Sequence, residues 1–530
     1  MAASLPPSSA ALPTLDAARA YLLVFAASFC TLVLEIVAGR VLAPAIGVSL
    51  YTWTTVIGVV LSGVAVGNYV GGVGAARAAS ARTLAGLLLA SGLVVWLVAL
   101  LARTVDMPSV LIALDPIPRL LTLVAGFFLL PSALLGAVTP LVAQLTLRER
   151  AEAGAVVGRL GAVSAAGSIA GTFVTGFLLI PSFGTRNIML GVAIALMVLA
   201  VLVGWRALSS VQLGRQALSG LLAGAVLLAA GTGYALARDR SPCLRESPYY
   251  CIRVDWLSLE GVPYVMLRHD RIIQGYTAPG APRLLVADYM QTFADVAAYR
   301  VAQLGGAAPS TLFVGGGSYT LPRYLETTYP GGRLDVMEVD PAVTENARQV
   351  LGVRTQESGG AIAVRHGDAR LSIRQLPDGA YDLVYGDAFN DISVPWHLTT
   401  VEFGREVRRV LRPEGLYAIN VIDAWDTGRF LPAFVRTLAE VFPEVAVLRV
   451  RDWDRGEVAN WTVVGSNQLL DAARLEAISR PGLRGPEPAR ARVLPAAEVQ
   501  RWLSGRREAP VLTDDYAPVD RLLAARYLDP

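Results

Sequence analysis

The sequence predicts a multi-pass α-helical membrane domain of about seven spans, followed by an α/β domain on a doubly wound parallel sheet that is entered through a small β-meander. Three observations predict it. The 530 residues are 54% hydrophobic and only 17% charged, and those charges are unevenly placed. Residues 1–240 hold 14 arginines and seven acids, a balance of +7, whereas the remainder holds 32 arginines and 36 acids, a balance of −4. Apolar stretches of bilayer length recur before residue 240, and short strands alternating with helices follow it. The expected organisation is a transmembrane domain over 1–240, a small β-strand subdomain with a linking helix over 241–305, and the larger α/β domain over 306–530.

About 20 apolar residues cross a bilayer at a rise of about 1.5 Å each. Stretches of that kind lie at roughly 18–43, 52–76, 83–102, 119–146, 154–180, 187–206 and 216–237. The first is too long, too little cationic at its start and too lacking in a cleavage site for a signal peptide. Ladders of small residues, Gly63, Gly67 and Gly71 in the second stretch and Gly167 and Gly171 in the fifth, predict close helix packing rather than a transport path. Pro44, Pro131, Pro140 and Pro181 mark span ends or kinks. Glu35 is the acid well inside a span, with Arg40 five residues on; it reads as a paired structural contact or a substrate-facing charge. Eight arginines in the N-terminus and even loops against four opposite place the N-terminus in the cytoplasm, so that seven spans put the C-terminal domain outside. Cys243 and Cys251, just after the last stretch, can pair in an oxidising compartment, or remain free thiols in a cytosolic one.

All 46 basic residues are arginine. The absence of lysine excludes a phosphate-loop lysine, a Schiff-base lysine and pyridoxal-phosphate chemistry. No basic stripe stands out in the C-terminal part, so nucleic acid is not an expected partner. His269, His366 and His397 are scattered without ligand spacing, and no metal is expected.

Residues 249–275 alternate and turn as a β-meander, and a helix follows at about 284–304. Next come a strand at 310–314, helix 319–328, strand 333–338, helix 341–351, strands 361–365 and 381–386, helix 400–411 and strand 414–422. Ligands of such a sheet bind at the carboxyl ends of the strands. The first strand ends in Gly315-Gly316-Gly317-Ser318, the second in Glu338 and Asp340, the third in Gly367-Asp368-Ala369, and the fourth in Gly386-Asp387-Ala388. An acid about twenty residues past a glycine loop accepts hydrogen bonds from both ribose hydroxyls. An aspartate on the next strand can read an adenine amino group. Because the loop is G-G-G-S and not G-x-G-x-x-G, an S-adenosyl ligand is favoured over a dinucleotide.

Taken together, E-S-P-Y-Y-C-I-R-V (246–254), H-D-R-I-I-Q (269–274), V-G-G-G-S-Y-T-L-P-R-Y-L (314–325), M-E-V-D-P (337–341), G-D-A-R (367–370) and Y-D-L-V-Y-G-D-A-F (381–389) resemble the spermidine synthase, or polyamine aminopropyltransferase, family. That family has a Rossmann-like, methyltransferase-type fold. L-E-I-V-A-G-R-V-L-A-P (34–44) in the apolar half resembles its integral-membrane, "fused" bacterial branch, so the resemblance covers nearly the whole chain and implies a multi-pass protein of the bacterial inner membrane.

The resemblance implies that the glycine loop (Gly315, Gly316, Gly317), Glu338, Asp368 and Ala369 hold the nucleoside of decarboxylated S-adenosylmethionine, with S-adenosylmethionine as the alternative. It implies that Gln274 and Tyr289 line the active site and that Asp387 is the catalytic base. A protonated amine cannot attack, so a carboxylate must take its proton. Aromatic faces attract a sulfonium or ammonium, and Tyr289, Tyr319 and Trp396 are candidates. Two departures bear on the acceptor: the acid that continues the family's glycine loop is Ser318 here, and the further acid beyond the base is Asn390, with Asp391 one later. Asp514 and Asp515 in T-D-D-Y-A-P-V (513–519) are a replacement or a helix cap, and His397 a lid residue or a loop contact. The expected function is a membrane-bound aminopropyltransferase making spermidine and methylthioadenosine from a diamine such as putrescine. Alternatives are a methyltransferase or other sulfonium-consuming enzyme, and a non-enzymatic polyamine-binding or transport protein. No permanently bound cofactor is expected. The expected partners are a small polyamine substrate and the lipid bilayer, with a homo-oligomer (a dimer) left open.

Overall fold

The computed structural model describes residues 15–47, 49–101, 116–147, 153–208, 231, 243–389, 394–449, 457–478 and 491–524. The chain divides into two compact units, Met1–Ser241 and Pro242–Pro530.

The first unit is helical: α1 (Ala17–Ile46), α2 (Leu50–Ala78), α3 (Ala81–Leu101), α4 (Pro116–Gly136), α5 (Val138–Thr146), α6 (Ala153–Val174) and α7 (Thr185–Leu208). Helices α4 and α5 form one span broken at Ala137, and α6 continues through Ser182, so the described residues hold six helices long and apolar enough to cross a bilayer. The expected span at 216–237 falls outside the described residues, apart from Gly231. Pro181 lacks an N–H to donate to Phe177, and the helix widens into a π segment at Thr175–Leu179 ahead of it.

Glycines set the helix pairing. A Cβ on Gly67 of α2 would lie 2.0 Å from the Ala133 carbonyl oxygen of α4, and one on Gly63 would lie 2.7 Å from that of Leu129. In α6, Gly167 and Gly171 would meet the Phe25 and Phe29 carbonyls of α1 at 2.4 and 2.6 Å. A Cβ on Gly92 of α3 would lie 2.9 Å from the Ala193 carbonyl oxygen of α7. Where backbones touch, no side chain fits, which is the small-residue packing of helices in lipid. A Ser28–Ser164 hydroxyl pair at 2.8 Å adds a polar tie between α1 and α6. Glu35 is half-buried on α1. Five residues from Arg40, it is out of the three- or four-residue register that pairs side chains along a helix.

The second unit opens with an antiparallel sheet, β1 (Arg245–Glu246), β2 (Cys251–Leu259), β3 (Val262–His269) and β4 (Ile272–Thr277), in that order. The β2–β3 turn, Glu260-Gly261, has positive φ at both residues (51° and 81°), the two-residue hairpin geometry that matches strand twist. Helix α8 (Asp288–Gln303) follows and is buried along nearly its whole length.

The main sheet has eight strands: β5 (Thr311–Val314), β6 (Leu334–Glu338), β7 (Ile362–His366), β8 (Tyr381–Gly386), β9 (Leu411–Ala424), β10 (Glu444–Arg449), β11 (Val458–Ser466) and β12 (Arg492–Val493). Their order is β12-β10-β11-β9-β8-β5-β6-β7. Helices α9 (Thr320–Thr328), α10 (Pro341–Val350), α11 (Ala369–Ser372), α12 (Val401–Val410) and α13 (Phe430–Ala439) follow β5 to β9 in turn, and α14 (Ala496–Ser504) follows β12. Successive residues of β5 and β8 point to opposite cores: Leu312, Val314 and Val384 to one, Phe313, Leu383 and Tyr385 to the other. Both faces are thus covered, as a parallel sheet requires. The strands expected up to residue 422 form the parallel part of the sheet, and later strands make the whole sheet mixed. Strands β9, β8, β5, β6 and β7 are parallel, while β11, β10 and β12 add antiparallel to β9 and to one another. The chain leaves β5 towards β6 and returns on its other side at β8, so the switch point where such sheets bind ligands lies between β5 and β8.

Candidate active site

Beyond Val314, Gly315 takes φ +99°, and a Cβ there would lie 2.7 Å from the Asp387 carbonyl oxygen. Only glycine allows this loop to run beside the end of β8. Asp387 N–H donates to Val314 O at 3.0 Å, which closes the two strand ends together. A Cβ on Gly316 would strike the Tyr319 ring at 2.6 Å, and Gly317 again has positive φ, +48°. Ser318 points inward: its hydroxyl pairs with Thr320 at 2.7 Å, and Thr320 and Thr277 pair in turn, pinning the loop to β4. Tyr319 is fully buried, with its hydroxyl 2.7 Å from Thr344. Neither Ser318 nor Tyr319 lines the open cavity described below.

Glu338, at the end of β6, is buried and accepts from Gly316 N–H at 2.8 Å and from Asp340 N–H at 2.9 Å. Burial raises its pKa, and the backbone donors work against the rise. Asp340 caps α10 by accepting from Ala342 N–H, and it also accepts from the Ser247 hydroxyl. Ser247 belongs to the loop closed by the Cys243–Cys251 disulfide. Tyr250 of the same loop stacks on His269 at 4.6 Å. Burial, with Glu338, Asp340 and Asp270 nearby, holds the Tyr250 phenol well above its usual range. One strand further, Asp368 caps α11 through Arg370 N–H at 2.7 Å, with Ala369 buried behind it. His397 Nε2 stands 3.2 Å from the free oxygen of Asp368.

In front of the glycine loop lies a cavity of about 490 Å3. Its polar lining is Gln274, Asp288, Tyr289, Asp387, Asn420 and Asn460, with Ile272, Ile273, Val286, Phe389 and Ile422 as the apolar part of the wall and the rings of Tyr264 and Tyr276 beside them. Tyr289 OH donates to one Asp387 oxygen at 3.2 Å, and Asn420 Nδ2 donates to the other at 3.2 Å. Burial pushes the Asp387 carboxyl from 3.8 up to about 6, and the two donors restrain it. Burial and the neighbouring Asp387 charge keep the Tyr289 phenol protonated, hence a donor. Gln274 Nε2 and Asn420 Oδ1 are buried without a protein partner. A buried polar atom left open beside a carboxylate is a place for a ligand.

Of the residues singled out in the sequence, the cavity gathers Gln274, Tyr289 and Asp387; the glycine loop, Glu338 and Asp368 continue the row along the strand ends. Trp396 is half-exposed beside His397 and does not line the cavity. Asp515 is exposed, also outside the lining, while its neighbour Asp514 binds Arg370 and Thr400. Asp391 lies outside the described residues. Asn420, Asn460 and Asp288 went unrecognised in the sequence. Asn420 alone left a signal there, as the polar member of the apolar run 416–422.

No protein-family model matches the chain. The polyamine aminopropyltransferase 2 of Streptomyces coelicolor is 31% identical over 320 residues, covering 57% of this chain and 55% of its own length. The polyamine aminopropyltransferase of Vibrio vulnificus is 32% identical over 135 residues, covering 25% of this chain and 43% of its own. The chain thus spans about half the length of these curated relatives. The crystal structure of a probable spermidine synthase from Corynebacterium glutamicum covers 51% of this chain and 95% of that one, at 24% identity and a TM-score of 0.45. On its motifs and its sequence relatives, this chain is related to the polyamine aminopropyltransferases, the spermidine synthase family.

Proposed function

We propose that the protein is a membrane-anchored aminopropyltransferase that moves the aminopropyl group of decarboxylated S-adenosylmethionine to a diamine such as putrescine. The observation that carries this reading is Asp387: a carboxylate at the sheet's switch point, facing a cavity, oriented by Tyr289 and Asn420, with its pKa raised to about 6. A base poised near neutral pH is strong enough to take an ammonium proton and still ionised enough to be ready. In the proposed step Asp387 accepts the proton, and the amine lone pair forms a bond to the carbon beside the sulfonium. The carbon–sulfur bond breaks with its electrons going to sulfur. The products are the aminopropylated amine and neutral methylthioadenosine, and the proton passes from Asp387 to water. Glu338 and Asp368 are proposed to hold the nucleoside, and the open amide of Gln274 to bind the donor.

The lining also supports the decarboxylated donor. S-adenosylmethionine carries a carboxylate, and among the described residues the cavity offers two aspartates and no arginine or histidine to meet it. Titration of the purified full-length protein with both sulfonium compounds tests this: the decarboxylated donor is expected to bind about tenfold more tightly. The reverse order would point to methyl transfer.

We propose residence in the bacterial inner membrane with the α/β unit on the periplasmic side. The arginine bias and the Cys243–Cys251 disulfide support that side, since disulfides persist in oxidising compartments. Labelling of the two thiols by an impermeant reagent on intact cells, only after reduction, is the expected result. Labelling only after lysis would reverse the orientation, and labelling of intact cells without reduction would keep the side but remove the disulfide as support for it.

A further inference from the structure

We infer that Asp288 is the specificity-determining counter-ion for the far ammonium of the acceptor, so that the cavity selects diamines over monoamines. This rests on the aminopropyltransferase reading above and deepens it. A diamine in this cavity presents two nitrogens with different needs. One must lose its charge at Asp387 in order to attack; the other keeps its charge and needs a counter-charge wherever the cavity draws it out of water, because an unpaired desolvated ammonium is costly. The sequence offers no acid on the glycine loop for that purpose, because Ser318 stands there and turns inward to Thr320. Asp515, another acid considered, is exposed and outside the lining, and Asp391 lies outside the described residues.

Among the described residues the cavity holds two carboxylates, Asp387 and Asp288. Asp288 opens α8 one residue before Tyr289, and the Tyr289 hydroxyl reaches Asp387, so one short segment presents both a donor to the base and a second acid to the same space. Between the polar groups the wall carries Ile272, Ile422 and the rings of Tyr264 and Tyr276, surfaces suited to methylenes and, at the ring faces, to a cation. Asp288 already has a contact within the protein. A carboxylate has about four acceptor positions, which leaves room for an ammonium as well. The remaining polar lining, Gln274, Asn420 and Asn460, is neutral and cannot balance a full charge.

The test compares 1,4-diaminobutane with 1-aminobutane as acceptor for the full-length protein, following methylthioadenosine at saturating donor. The wild type is expected to favour the diamine in kcat/KM by about tenfold or more. In Asp288→Asn that ratio falls towards one, mainly through the diamine KM, and Asp288→Glu restores much of it. A ratio unchanged in Asp288→Asn, or equal losses for both amines with a lower Tm, would assign Asp288 to the helix start alone and overturn the inference. Should the wild type release no methylthioadenosine with either amine, calorimetric titration separates the two failures. Diamine binding that still outranks monoamine binding and loses its advantage in Asp288→Asn upholds the acceptor site while the transfer reading falls; no preference removes both.

Discussion

The two units use the same residue for opposite ends. In the helical unit, Gly67 is needed because the Ala133 carbonyl of a neighbouring helix would sit 2.0 Å from any Cβ, while its own backbone is ordinary helix. In the α/β unit, Gly315 is needed because the loop takes φ +99° and runs against Asp387. Charge divides in the same way. The first unit carries 21 charged residues in 240 and holds together by backbone contact, whereas the second buries Glu338 and raises the pKa of Asp387. Small residues between apolar helices solve packing; small residues at a strand end let the glycine loop pass beside Asp387. The comparison teaches that a glycine count or a hydropathy average says little until the backbone reason for each glycine is known.

The largest break in the comparison is Asp387→Asn. Turnover is expected to fall by about 10²–10⁴ while donor binding persists, because the proposed general base is lost and the proposed nucleoside-binding acids Glu338 and Asp368 remain. Stability should move the other way. The folded pKa of Asp387 lies above its ordinary value, so its share of stability is present below about pH 3.8 and is lost as pH rises through about 6. At pH 8 the aspartate therefore costs up to about 3 kcal/mol, and Asp387→Asn should raise the Tm there but not at pH 4. An equal Tm change at both pH values would show that burial does not set the pKa.

Gly67→Leu comes next. Overpacking is expected to destabilise the helical unit by about 1–3 kcal/mol or more, visible as a lower Tm in detergent. Gly58→Leu is the control, since nothing lies within 4 Å of a Cβ there. Equal effects at the two sites would break the packing explanation. Gly315→Ala sharpens the other side: left-handed strain of about 1–2 kcal/mol should appear chiefly as weaker donor binding and slower turnover. The smallest expected effect is that of Tyr289→Phe, about 0.5–1.5 kcal/mol in kcat/KM. Its hydrogen bond lowers the Asp387 pKa, so its loss should move the acid limb of the pH–rate profile upward from about 6. A limb that moves down or stays would contradict the assigned contact.

The core of the fold was legible because local rules decide it. Strands β5, β6 and β8 and helices α9 and α10 stand within a residue or so of their expected positions, since apolar runs, the Gly315–Gly317 loop and Asp340 mark their ends. The antiparallel strands β10 to β12 carry no glycine-loop or acidic motif at their ends, and their pairing is a tertiary fact with no local period. Asp387 and Tyr289 were found through motifs, but the direction of Ser318 and Tyr319 was not. A loop with Gly317 at φ +48° and Tyr319 at φ +54° reverses the facing that simple spacing suggests. Asn420 was hidden because a strand buried on both faces has no polar side to alternate with. Asp288 reads in sequence as an ordinary acid at a helix start, and only the cavity shows what else it faces.

The most direct test of the central claim, that Asp387 promotes transfer of a three-carbon amine and not of a methyl group, is product identity. Purified full-length protein would be incubated with each sulfonium donor and putrescine, and the products followed by mass spectrometry. Methylthioadenosine and an aminopropylated diamine from the decarboxylated donor, both absent with Asp387→Asn, is the predicted result. S-adenosylhomocysteine with a methylated product, or undiminished methylthioadenosine from Asp387→Asn, would contradict it.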